Sequence, residues 1–159
     1  MIPKNLGELL TISSHKHPIR TAIVFGQKKI NYHALNELTN EIAAGLIDLG
    51  IKKQERIALF LDNCPEFVIS YFAVLKAGAI VVPINYMFKM EEAKFILQDS
   101  GAAALITSRA YVEMAEELRL RLDSLKYIIT TTKSKDDVLD FHRLKRNNPE
   151  ILNGAPPRL

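Results

Sequence analysis

The eleven residues Leu75–Asn85, LKAGAIVVPIN, carry a helix end, a turn and a strand. Lys76 puts a cation where the carbonyls of a last helical turn point, and Gly78 takes positive φ without strain. Ile80, Val81 and Val82 follow without a polar residue, as in a strand covered on both faces. Pro83 then withdraws a backbone donor, so the chain is predicted to leave the sheet there. A helix, glycine turn and buried strand in so short a space predict a parallel α/β fold of the kind that handles nucleotides.

The rest of the chain fits that prediction. Leu6, Leu9 and Leu10 start a short amphipathic helix that runs out near Pro18. Thr21–Gly26 and Lys28–Tyr32 read as two strands about a tight turn at Gly26-Gln27. Leu35, Leu38, Ile42, Leu46 and Leu49 recur at spacings of three and four, a helix with Glu37, Glu41 and Asp48 on its wet face and Gly50 at its end. Arg56–Leu61 is an apolar strand. Asp62-Asn63-Cys64-Pro65 turns into a helix over 66–77 that is apolar nearly all round, hence expected between layers. Further on come a helix over 90–100, a strand over 102–107, a charged helix to about Leu122 and a strand over 126–131. The expected fold class is α/β, a mostly parallel sheet with helical crossovers, formed by residues 1–132. Asp137–Arg146 reads as one short charged helix. The last stretch, NNPEILNGAPPRL, reads as a linker and makes the domain look interrupted rather than finished.

Composition narrows the function. Among 159 residues, 48% are apolar and 25% charged, with a formal charge of +3, which is ordinary soluble globular composition for a single core. Lys133, Lys135, Arg143, Lys145 and Arg146 are interleaved with Asp136, Asp137 and Asp140, so this segment reads as a solvated surface and not as a nucleic-acid patch. No apolar run is long enough to span a bilayer, and Asn5, Gly7 and Glu8 break any signal segment. A single cysteine, Cys64, allows no internal disulfide, and a reduced, cytoplasmic setting is expected.

The expected phosphate grip is missing. There is no G-x-x-x-x-G-K-[ST] loop, no G-x-G-x-x-G and no G-x-S-x-G, and the seven glycines are isolated. His15, His17, His33 and His142 form no cluster, so no metal site is expected. Cys64 at a helix start is either an activated thiol or a small buried one. Phe67, Tyr71 and Phe72 either line a pocket or pack in the core. Glu91 and Glu92 open a helix, where negative charge suits the dipole without acid–base work. No catalytic and no cofactor-binding residue can be named from this chemistry.

Two stretches nevertheless resemble the signature blocks of the AMP-forming adenylating enzymes, which include acyl-CoA synthetases, aryl-CoA ligases and amino-acid adenylation domains. INYHAL (Ile30–Leu35) resembles the first block, Leu-Thr-Tyr-x-Glu-Leu, and LKAGAIVVPIN is similar to the second, Leu-Lys-Ala-Gly-x-x-x-Val-Pro. The likeness extends through Asp99–Ser108. In the first block Asn31 can still cap a helix, while Ala34 removes the reciprocal carboxylate. Lys89-Met90 stands where relatives carry Thr-Pro, which predicts a poor cap for the following helix.

The resemblance implies the first sub-domain of the large amino-terminal domain of such an enzyme, with residues 133–159 leading toward a phosphate-binding loop this chain does not contain. For the intact protein it implies a fatty acid–CoA ligase using ATP, Mg²⁺ and coenzyme A, with aryl-CoA ligases and amino-acid adenylation domains as alternatives. It places Asn85, Tyr86, Met87 and Phe88 beside the tunnel where acyl group and coenzyme A meet, an exposed turn being the alternative. It further predicts a bare apolar surface suited to a homodimer, and leaves peripheral membrane attachment open. A free-standing, non-catalytic α/β interaction module is the rival reading.

Overall fold

A computed structural model describes residues 3, 5–132 and 138–144. The first helix, α1 (Leu6–Lys16), is capped by Asn5, whose Oδ1 accepts the Glu8 N–H at 2.8 Å. The strands β1 (Thr21–Phe25) and β2 (Lys28–Asn31) pair antiparallel about Gly26, where φ is +59°, and stand apart from the main sheet. Helix α2 (Tyr32–Asp48) starts on Asn31, whose side chain accepts the Ala34 N–H at 2.8 Å, so the cap survives without its reciprocal carboxylate. Replacing Asn31 with alanine is expected to cost about 1 kcal/mol. An unchanged urea midpoint would count against the cap.

The main sheet has the order β4-β3-β5-β6-β7, all parallel. Its strands are β3 (Arg56–Phe60), β4 (Ile80–Pro83), β5 (Ala104–Thr107), β6 (Tyr127–Thr130) and β7 (Leu139–Asp140). Side chains alternate between two cores, as the pleat requires. Ile57, Leu59, Ala104, Ile106 and Ile129 face α1, α2 and α3 (Pro65–Lys76). Ala58, Phe60, Leu105 and Ile128 face α4 (Met90–Ser100) and α5 (Val112–Arg121). Fully burying each such leucine or isoleucine contributes about 1.5–3 kcal/mol.

Four expectations need correction. Helix α3 is not enclosed between layers: Ile69, Ser70, Ala73 and Val74 are buried, but Phe67, Val68, Tyr71 and Phe72 are only half-covered against the first core. The strand of the opening stretch is only partly covered on its two faces: Val81 packs half-buried against the first core and Val82 against the second, while Ile80 is 47% exposed and β4 is the edge of the sheet. Pro83 stays in register with Leu59. The neighbouring donors at Ile80 and Ile84 point inward, to Glu55 O at 2.8 Å and Leu59 O at 2.9 Å. By alternation the donor Pro83 lacks would point outward, so no ladder bond is lost.

The third correction concerns residues 138–144, which add β7 and a 3₁₀ turn over Phe141–Leu144 instead of a charged helix. Phe141, only 1% exposed, is the reason: its ring anchors in the first core. The remainder of the segment expected to be helix and linker, 133–137 and 145–159, lies outside the described residues. Finally, α4 is better capped than expected. Lys89 cannot accept a bond, yet Glu92 accepts the Lys89 N–H at 2.8 Å, which is half of a capping box.

The face of α2 toward α1 and α3 buries Asn36, Thr39 and Asn40. Lys76 extends into it, its Nζ donating to Asn36 Oδ1 at 2.6 Å and Asn40 Oδ1 at 2.7 Å. Burial lowers this amine from 10.5 to about 8, against the opposing pull of Glu37.

Candidate functional site

Crossovers leave this sheet in two directions. After β3 the chain passes through α3 on one face to reach β4; after β5 it passes through α5 on the other face to reach β6. Where neighbouring connections part in this way, their loops leave a crevice at the carboxyl ends of the strands, the usual ligand position in open α/β sheets. Here the crevice lies between the residues after Phe60 and those after Thr107.

Its walls are specific. Tyr111 donates its hydroxyl to Asp62 Oδ1 at 3.3 Å, and its ring meets Phe60 edge-on at 4.6 Å. Thr107 Oγ1 donates to Phe60 O at 2.9 Å, stitching the two strand ends together from within. Burial raises the Tyr111 phenol above its ordinary pKa, with Asp62 and the phenol of Tyr86 adding to the effect.

Among the four residues expected near an acyl and coenzyme A passage, the structure assigns different situations. Asn85 shapes the turn: its Oδ1 accepts the Met87 N–H and its carbonyl accepts the Phe88 N–H, both at 3.0 Å. Tyr86 is 39% exposed. Met87 is 68% exposed at the tip. Phe88 turns back onto the second core and, with Glu91, Glu92, Phe95 and Ile96, lines an open apolar depression of about 520 Å³. The carboxylate of Glu91 lies 3.9 Å from Lys94 and 3.7 Å from Arg121, so the rim charges answer one another.

Asp62 and Tyr111 were not singled out from the sequence. They are 49 positions apart, one in a turn and one at the head of a charged helix, and only the β3–β5 pairing joins them. The Cys64 thiol is half-buried, and burial pushes its pKa above the ordinary thiol value, the opposite of activation. Among the described residues no group of three or more His, Cys, Asp or Glu could hold a metal ion. The crevice has the means to position a ligand by a phenol, a carboxylate and exposed apolar side chains. It offers no nucleophile paired with a base.

Comparison with known proteins gives a consistent picture. A model of the AMP-binding enzyme family matches residues 10–157. A crotonobetaine/carnitine–CoA ligase from Salmonella arizonae is 37% identical over 147 residues, 87% of this chain and 28% of that protein. A fatty acyl CoA synthetase of Mycobacterium tuberculosis superposes with a TM-score of 0.74 at 31% identity, covering 80% of this chain and 26% of that one. An anthranilate CoA ligase in complex with anthranoyl-AMP superposes at 0.84 with 25% identity, covering 91% and 28%. The chain thus spans little more than a quarter of the length of each of these three relatives.

Proposed function

The chain belongs to the AMP-binding enzyme family, and we propose that the protein works as an AMP-forming acid–coenzyme A ligase in which the α/β fold of the described residues, β7 included, forms the first sub-domain. In the proposed reaction a carboxylate oxygen attacks the α-phosphorus of ATP, giving acyl-adenylate and pyrophosphate, with Mg²⁺ offsetting phosphate charge. The thiol of coenzyme A then attacks the acyl carbon and AMP leaves. The observation that carries this reading is the unbroken family match over residues 10–157. ATP, Mg²⁺ and the catalytic groups would be held by segments outside this chain. Asn85, Tyr86, Met87 and Phe88 are proposed to border the passage of acyl group and coenzyme A. Their position at the carboxyl edge of β4 supports that role.

For the acid, a fatty acid is the first reading, supported by pattern and by the 31% identity to a fatty acyl CoA synthetase. The 37% identity to crotonobetaine/carnitine–CoA ligases favours a second, a short acid carrying a quaternary ammonium group. Among the described residues no helix is long and apolar enough to cross a membrane. A cytoplasmic place completes the proposal.

The test begins with an immunoblot of source cells, using antibody against this chain, to obtain the native product. Purified, it is expected to exchange pyrophosphate into ATP only when an acid is supplied and to release AMP when coenzyme A is added. Octanoate, palmitate, benzoate, crotonobetaine and carnitine separate the substrate readings. The 159-residue chain alone is expected to give no acid-dependent exchange. A native product of this length that is inert with every acid would favour the interaction-module reading.

A further inference from the structure

The lysine of the opening stretch takes no part in the proposed chemistry, yet it is among the most constrained side chains of the fold. It enters a polar pocket walled by three helices. Its Nζ donates to Asn36 Oδ1 and Asn40 Oδ1 of α2, and Thr11 of α1 donates its hydroxyl to the same Asn36 Oδ1 at 3.2 Å. Gly7 of α1 lies on the lysine stem: a Cβ there would come within 3.1 Å of Lys76 Cγ and 3.4 Å of Lys76 N.

We propose that Lys76, Asn36 and Asn40 form a latch that seats α1 on the body of the fold, and that α1 opens as a local unit when the latch is broken. The apolar hold on α1 is thin. Leu10 is its one fully buried large side chain, while Leu6 and Leu9 are 50% and 42% exposed. The acceptor on Asn36, shared by Thr11 and Lys76, is a polar tie that joins α1 to α3 through α2.

The chemistry of the cluster supports a role in fixing geometry. Lysine has donors and no acceptor, so it dictates that both amide oxygens turn inward. That leaves Asn40 Nδ2, in a residue only 3% exposed, without a partner. A buried polar group left partly unmet is costly where an apolar residue would pack without loss. Glu37 on α2 supplies the opposing charge near the amine, and α1 presents neutral Gly7 and Thr11 to the pocket.

Hydrogen exchange of the chain, followed by mass spectrometry at neutral pH, tests the latch. Lys76→Met keeps the apolar stem and removes every donor; it is expected to speed exchange across residues 6–16 about tenfold. Thr11→Val leaves Lys76 and both asparagines in place, removes the tie from α1 to Asn36 together with a long 3.4 Å bond to Gly7 O within the helix, and is expected to give about threefold. In both variants the amides of 57–60 and 104–107 should rise by a smaller factor than those of α1. If Lys76→Met does not fold, Thr11→Val decides alone. Unchanged exchange in α1, or equal acceleration of α1 and the sheet, would overturn the proposal.

Discussion

Gly45→Ala is expected to destabilise the chain by about 2–4 kcal/mol, although alanine is the better helix former by about 1 kcal/mol. A Cβ on Gly45 would overlap Leu144 O and lie 2.8 Å from both Leu144 C and Cβ. Backbone, not a flexible side-chain tip, stands in the way. Helix α2 cannot retreat, because Ala43, Ala44 and Leu46 on either side are buried. The 3₁₀ turn must therefore lift, and Phe141 loses its seat in the first core, worth about 1.5–3 kcal/mol of burial. Urea unfolding measures the loss, and limited proteolysis should find new cleavage around residues 138–144. A variant more stable than the parent would mean that the turn docks weakly and helix propensity prevails.

The second large effect is a stability that climbs with alkalinity. Lys76 has its amine lowered from 10.5 to about 8, because the folded state takes the charge out of water. Between those values the unfolded chain holds a proton that the folded chain has released. More protons on the unfolded side means stability rises with pH across this window. The limit set by such a shift is about 3 kcal/mol, and residual solvent access reduces it to about 1–3 kcal/mol. The neutral amine keeps two N–H donors, enough for both asparagines, so its bonds persist. Cys64 and Tyr111, both raised, pull the other way above their ordinary pKa values. The difference between parent and Lys76→Met, followed from pH 7 to 10.5, therefore isolates the lysine. That difference should widen in favour of the parent; a flat or narrowing difference would refute the assignment.

What the sequence disclosed follows from which forces leave a local trace. Leu35, Ile42 and Leu46 mark α2 because a helix must present its apolar residues at regular intervals. Gly78 and Gly101, with φ of +78° and +61°, announce helix ends for steric reasons that need no tertiary knowledge. Strand β7 has two residues and no period to read. Asn36 and Asn40 share the spacing of solvent-facing residues; only the arrival of Lys76, 40 and 36 positions later, makes that face an interior one. Asp62 and Tyr111 escaped for the same reason. Asn85–Phe88 could be named as an expectation only because they are contiguous with a signature block.

The proline of β4 has a consequence for how copies of this chain behave in a crowded solution. A flat parallel edge bearing Ile80, Val81 and Val82 has the composition of an aggregation template. Of the outward donor positions on this edge, one is occupied by a residue with no N–H to give. A stray strand laid along β4 would find its ladder cut short after Val81, with no register that repairs it. Pro83 thus acts as a gatekeeper, discouraging cross-β growth at no cost to the sheet's own hydrogen bonds.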